Sequence, residues 1–120
     1  EVIDIGVYNT DPVLYPNIAI TAAEYIRDGK ADKGVLMCGT GIGMAISANK
    51  VKGIRAAVTH DAFSMERSVL SNNCQIVCFG ARIISPVYAT YLLEKWLKLE
   101  FNNENSARKI GCIIEYEEGN

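Results

Sequence analysis

A cysteine and three alternating glycines stand together in this chain: Cys38-Gly39-Thr40-Gly41-Ile42-Gly43. A short apolar run precedes them and an alanine-rich stretch at helical spacing follows. A glycine turn between a buried strand and a helix aims several backbone N–H groups at one anion, and the helix start adds positive potential. Glycine permits the backbone angles such a turn needs and lets a ligand approach closely. A thiol at Cys38 has its thiolate favoured by the same field. A thiolate beside amide donors suits removal of a proton next to a carbonyl, the amides holding the enediolate oxygen that forms. The bland alternatives are a tight turn that binds nothing and a buried structural cysteine.

Two other glycine chemistries fit less well. The dinucleotide pattern G-x-G-x-x-G fails in both registers, because Met44 or Ile46 occupies the third glycine position. Asp61 nevertheless lies at the distance of a ribose partner, so nucleotide-dependent oxidoreduction stays open as a competing class. A P-loop is excluded more firmly, since no Gly-Lys-Ser/Thr follows.

The elements that must carry this turn alternate along the chain. Residues 1–7 alternate polar and apolar and predict a strand, followed by a loop over 8–16 with Asn, Asp and two Pro. Residues 17–28 predict a helix closed by Gly29, and 34–38 a buried strand. A helix over 44–51 and a strand over 54–58 come next. Residues 62–70 predict a helix, with Asp61 placed to cap it and Ser71, Asn72 and Asn73 closing it. A buried strand over 75–79, a turn over 80–85 and a helix from Pro86 to Leu99 complete the alternation. The polar tail after Phe101 predicts only a short helix, and the acidic residues 115–118 a solvated end. Such alternation implies a parallel sheet covered on both faces, with ligands beyond the carboxyl ends of its strands. Cys38, Thr40, Thr59, His60, Asp61, Gly80 and Arg82 all fall on that edge.

Composition excludes several partners. With 120 residues the chain has the length of one domain, and it is 49% hydrophobic and 22% charged, ordinary globular values. Twelve Lys+Arg against fourteen Asp+Glu give a net charge of −2, no field for nucleic acid. No apolar run reaches the roughly 20 residues of a membrane helix. Cys38, Cys74, Cys78 and Cys112 form no CxxC pair and the one histidine completes no zinc pattern, so no metal is expected and the thiols read as reduced, in the cytoplasm. No targeting segment is visible, and the start at Glu1 without Met suggests that upstream residues are absent.

The motifs taken together carry a family resemblance. Cys38-Gly39-Thr40-Gly41-Ile42-Gly43-Met44, Ser47-Ala48-Asn49-Lys50 and Gly53-Ile54-Arg55-Ala56-Ala57 closely resemble the ribose-5-phosphate isomerase B family, which includes the galactose-6-phosphate isomerase subunits. The likeness continues through Ser71-Asn72-Asn73 and Gly80-Ala81-Arg82 to Trp96-Leu97, spanning residues 15–101. The galactose-6-phosphate subunits differ at the Cys-Gly-Thr-Gly segment, which favours the ribose-type branch. The resemblance implies a Rossmann-like three-layer α/β/α fold, a small phosphorylated sugar as partner, no organic cofactor, and dimers or tetramers with the site at the subunit interface. It implies Cys38 as the base between C1 and C2 and Thr40 as a residue orienting a sugar oxygen. The amides of residues 39–47, including those of Gly39, Gly41, Gly43 and Ser47, match the anion hole. Asn72 and Tyr15 match substrate contacts, and Arg82 matches a phosphate-binding arginine reaching across the dimer.

Three departures from the family pattern qualify these expectations. The family's opening strand and helix, with an Asp-His pair, have no counterpart before Glu1. Its late phosphate segment survives only as Arg108 and Lys109. Its ring-opening histidine is replaced by Ser71. A tetrose 4-phosphate has O4 esterified, cannot close a five-membered ring and needs no ring-opening group. The run from Thr59-His60-Asp61-Ala62-Phe63-Ser64 to Leu70-Ser71-Asn72-Asn73 also resembles the erythrulose-4-phosphate isomerase branch. His60 is on the sheet edge where it would contact substrate or open a ring in place of the missing histidine, or else it is a solvated loop residue. Arg55 reads as a structural ion pair, and Tyr88, Tyr91, Leu92 and Trp96 as core or dimer interface. The leading expectation is an aldose–ketose isomerase of the ribose/ribulose 5-phosphate pair or the erythrose/erythrulose 4-phosphate pair. A phosphometabolite-binding module without turnover is the alternative from another class.

Overall fold

A computed structural model of the chain describes residues 1–119. The elements run α1 (Tyr15–Arg27), β1 (Gly34–Cys38), α2 (Ile42–Ala48), β2 (Ala56–Val58), α3 (Ala62–Leu70), β3 (Ile76–Gly80), α4 (Pro86–Trp96) and α5 (Glu104–Glu118). The three strands form one parallel sheet in the order β1-β3-β2. β3 sits in the centre, opposite β1 in the register Cys38–Gly80 and opposite β2 in the register Val58–Cys78.

Alternation along β3 builds both layers, because successive side chains of a strand face opposite ways. Ile76 and Cys78 join Ala19, Ala23, Leu36, Met44, Ala45 and Ala48 beneath α1 and α2. Val77 and Phe79 join Met65, Val69, Leu92 and Trp96 beneath α3 and α4. All five residues of β3 are buried, so a continuous apolar run there is what the fold requires. Trp96 completes its burial by donating its indole N–H to Ser68 Oγ at 3.2 Å.

Local signals set the helix ends. Asp61 caps α3 by accepting from Ser64 N at 2.7 Å, and Ser85 caps α4 by accepting from Tyr88 N at 3.1 Å, with Pro86 at the first helical position. Of the expected stripe on α4, Leu92 and Trp96 are core, whereas Tyr88 and Tyr91 are exposed and stack on each other.

Three expectations are corrected. Residues 1–14 form no strand: a strand's backbone needs a neighbour, and this segment pairs with neither β1 nor β2. The tail holds a fifteen-residue helix in place of a short one, capped by Asn103 and anchored by buried Ile110. Its acidic end, residues 115–118, is mostly exposed as expected, with Glu117 accepting from Gly53 N. Arg55 makes its contacts with backbone carbonyls, those of Asn73 (3.0 Å) and Gly53 (3.4 Å), so its role is structural without being an ion pair.

The edge strand β2 is held by a side chain at the end of α2. Asn49 accepts from Ala56 N and donates to Ala56 O, both at 2.8 Å, taking the place of a strand partner. Removing that pair leaves a buried donor and acceptor unmatched, so Asn49→Ala is expected to lower stability by about 1–3 kcal/mol. A urea-denaturation midpoint equal to that of the parent would contradict this.

Candidate active site

Cys38 is the last residue of β1, half-buried, with its sulfur turned back over the glycine turn. Gly41 N–H points at that sulfur from 3.1 Å. Desolvation is the largest influence on the thiol and pushes its pKa up. The backbone N–H groups of Thr40, Gly41, Met44 and Gly43 outweigh it together, and the net pKa lies below the ordinary thiol value. Cys74 and Cys78 lack such donors, and burial pushes them up to about 11 and about 12. Of the three thiols, Cys38 alone has its pKa lowered.

The turn keeps its shape through close backbone approach. Gly41 has φ of +80°, a left-handed conformation suited to glycine, and it is the N-cap of α2. A Cβ on Gly41 would stand 3.0 Å from Phe79 C, and one on Gly80 would stand 2.6 Å from Thr40 C and Cα. The two strand-end turns therefore lie directly across each other. They are also hydrogen-bonded: Ala81 N donates to Cys38 O at 2.8 Å and Arg82 N to Gly39 O at 3.0 Å. Arg82 stands beside Gly39, its Nε 3.5 Å from where a Gly39 Cβ would be. Within its own chain it packs along the glycine turn.

Thr40 is exposed; its hydroxyl accepts from Ile42 N at 3.3 Å and keeps its own proton to donate. Tyr15 opens α1 and lays its phenol on Gly43, so that this glycine has no room for a Cβ. Ser47 is buried, and its hydroxyl donates to Gly43 O at 2.7 Å. The anion hole expected over residues 39–47 is accordingly shorter. Ala45 N already donates to Gly41 O, so from there on the N–H groups belong to the helix ladder, and Ser47 is structural. The helix starts at Ile42, two residues ahead of the expected start, with Gly41 as the unread N-cap signal, and Met44 N–H, within the expected run of amides, is close to the sulfur.

His60 is also on this edge, but its Nε2 already accepts from Gly80 N at 2.8 Å. Asp61 engages the first turn of α3, which removes the ribose partner that a dinucleotide reading needs. The remaining expected residues lie elsewhere. α3 runs back across the sheet, so Asn72 sits before the start of β3, a strand length of about 13 Å below the level of Gly80. Arg108 and Lys109 are exposed on α5. That helix follows Phe101, which shares a cavity with Lys33 and Gln75 just ahead of β1 and β3, and it ends against Gly53 ahead of β2.

The match to known proteins agrees with this arrangement. The profile of a family described as Ribose/Galactose Isomerase covers residues 1–113. The chain belongs to that family. It is 50% identical over 116 residues to D-erythrulose-4-phosphate isomerase 2 of Mycolicibacterium smegmatis, covering 95% of this chain and 76% of the relative. It is 43% identical over 120 residues to the ribose-5-P isomerase B of Listeria innocua, covering 100% and 81%. Among solved structures, ribose-5-phosphate isomerase B of Clostridium thermocellum superposes with a TM-score of 0.96 at 38% identity, over 99% of this chain and 80% of that one. The Rossmann-like parallel α/β fold expected for the ribose/galactose isomerase family is the fold observed.

The lowering of the Cys38 pKa is directly measurable. At neutral pH, iodoacetamide is expected to alkylate Cys38 faster than it alkylates N-acetylcysteine, while Cys74 and Cys78 stay unmodified in the folded protein. Peptide-resolved mass spectrometry checks this; equal labelling of all three would refute the assignment.

Proposed function

We propose that this member of the ribose/galactose isomerase family interconverts the aldose and ketose forms of a small phosphorylated sugar, with Cys38 as the base. The observation that carries the reading is the Cys38 sulfur at the carboxyl edge of the sheet, contacted by Gly41 N–H and with its pKa lowered by the amides of Thr40, Gly41, Met44 and Gly43. The sulfur takes the proton on the carbon next to the carbonyl, the C–H electrons form the enediolate, the hydroxyl proton passes from one of its two oxygens to the other, and the thiol returns its proton to the neighbouring carbon as the second carbonyl forms. During the transfer negative charge leaves sulfur and appears on oxygen beside the same donors. The field that stabilised the reactant base therefore serves the intermediate with little rearrangement. Thr40 donates to a sugar oxygen, Tyr15 borders the site and Arg82 binds phosphate. Neither a metal nor an organic cofactor takes part in such a proton transfer. The four free cysteines accord with work in the reducing cytoplasm.

The site is shared between two copies of the chain. Asn72, Arg108 and Lys109 are far from Cys38 within one copy, so they reach substrate only from a second one. Exposed Met37, Ile42, Ile46, Phe63, Ile83 and Val87 supply apolar surface for that contact. Cys38→Ala and Asn72→Ala are each expected to lose at least about a hundredfold in kcat. Co-expressed, they form mixed dimers with one intact site, recovering about a quarter of parental activity in a random mixture. No recovery would sink the shared site; near-normal turnover of Cys38→Ala would sink the base.

The reaction suits a ribose/ribulose 5-phosphate pair, as the ribose-type motifs imply. Two observations favour the erythrose/erythrulose 4-phosphate pair instead. Ser71 offers no imidazole, and His60 has its Nε2 engaged by the backbone, so neither is a free ring-opening group. A tetrose 4-phosphate requires none. In side-by-side assays, kcat/KM for D-erythrulose 4-phosphate is expected to exceed that for D-ribulose 5-phosphate by about tenfold or more. The reverse order would return the assignment to the pentose.

A further inference from the structure

A buried amide at the end of a sheet still needs an acceptor. β2 stops at Val58, and Thr59 N–H makes one more rung to Cys78 O at 3.2 Å before the chain turns into the Asp61 cap. In the register Val58–Cys78, position 60 falls opposite Gly80. Gly80 is buried, and the edge of β2 that would offer its N–H a carbonyl has already left the sheet. The imidazole of His60 fills that place, accepting from Gly80 N through Nε2 at 2.8 Å, with the Phe79 ring close by.

We propose that His60 is a positioning residue for Cys38: as a neutral imidazole protonated on Nδ1, it holds Gly80, and through Gly80 the turn that carries the thiolate. The proposal rests on the reading of Cys38 as the base. The physical path is short. Gly80 Cα lies against the Thr40 backbone with no space for a methyl group. The next two amides, of Ala81 and Arg82, donate to Cys38 O and Gly39 O. Gly80 O in turn accepts from Ile83 N (2.9 Å) and Ile84 N (3.0 Å), which closes the turn after β3. A displaced Gly80 therefore moves both the amides around the sulfur and the arginine beside Gly39. Cys78 of β3 adds no competing charge there, being held as a neutral thiol. An imidazolium has no acceptor nitrogen, so only the neutral ring performs this task. The assignment also separates two roles left open by the sequence: Nε2 serves the backbone, and a sugar oxygen has access only to the Nδ1–H side.

The chain has one histidine, so its nitrogen spectrum is unambiguous. In the ¹⁵N-labelled protein above neutral pH, long-range ¹H–¹⁵N correlation is expected to give the Nδ1–H tautomer with Nε2 unprotonated. A dominant Nε2–H tautomer would overturn the proposal whatever the variants do. His60→Leu removes the acceptor, and His60→Gln restores one at similar reach. The rate of Cys38 alkylation by iodoacetamide at pH 7 is expected to fall about fivefold or more in His60→Leu, its pH midpoint moving up, and to return to within about twofold in His60→Gln. An unchanged rate in His60→Leu, or a glutamine variant as slow as the leucine one, rejects the positioning role. Both readouts are free of substrate, so they stand even if no sugar phosphate is turned over. Where turnover is seen, kcat is expected to fall in His60→Leu with KM nearly unchanged.

Discussion

The chemistry of this fold depends on two turns locked across each other at the end of a parallel sheet. One follows β1 and carries the sulfur; the other follows β3 and carries Arg82. Their mutual approach is a backbone contact, Gly80 Cα against Thr40 and Gly41 against Phe79, closed by the hydrogen bonds of Ala81 to Cys38 and Arg82 to Gly39. Side chains at either glycine would separate the turns. The glycine pattern therefore does more than free the backbone for an anion: it brings a central and an edge strand into register at the point where charge must be held. The buried body of β3 makes this possible, since only a strand packed on both faces gives a fixed platform for such a contact.

The contrast among the cysteines states the same constraint in electrostatic terms. Cys38 and Cys78 face the same layer from neighbouring strands, and both pay for removal from water. Cys78 lies within its strand, where the backbone amides belong to the ladder, and its pKa rises to about 12. Cys38 lies at the strand end, where the first amides of α2 have no ladder to join. Two of them, of Gly43 and Met44, act with those of Thr40 and Gly41 in the turn before α2 to outweigh the effect of burial. What distinguishes the lowered thiol from the raised one here is two residues of position along a sheet, not the identity of its apolar neighbours.

Much of this was legible in the residue order. The strands ending at Cys38 and Val58, the cap at Asp61, the helix start at Pro86, and the clustering of Cys38, Thr40, His60 and Arg82 on one edge follow from alternation, turn chemistry and the rule for parallel sheets. The missed features depend on partners that a local pattern does not name. Residues 1–7 alternate well, but a strand exists only beside another strand. The fifth helix is polar over most of its surface and owes its position to Ile110 and to the Glu117–Gly53 contact, remote in sequence. Ser47 looked like part of the anion hole because motif position says nothing about which amides a helix has already used. His60 presented as a free imidazole for the same reason: its acceptor role appears only once β2 is seen to stop one rung short of β3.

The placement of Asn72, Arg108 and Lys109 gives the arrangement its last consequence. In a parallel sheet all strand ends of one kind share one edge, and the helices return to the other. Residues at helix ends such as Asn72 are thereby kept at the edge opposite the base, however close they lie in sequence to a strand that leads to it. One chain of this topology can present a base, an anion hole and one cation at the carboxyl edge, but it cannot fold its own amino edge over them. Closure of a small, highly polar substrate against water then has to come from another surface. In the site proposed above, a second copy supplies that surface, furnished with an amide and two cations. In the proposed shared site, pairing follows from strand direction combined with the need to hold an enediolate away from solvent.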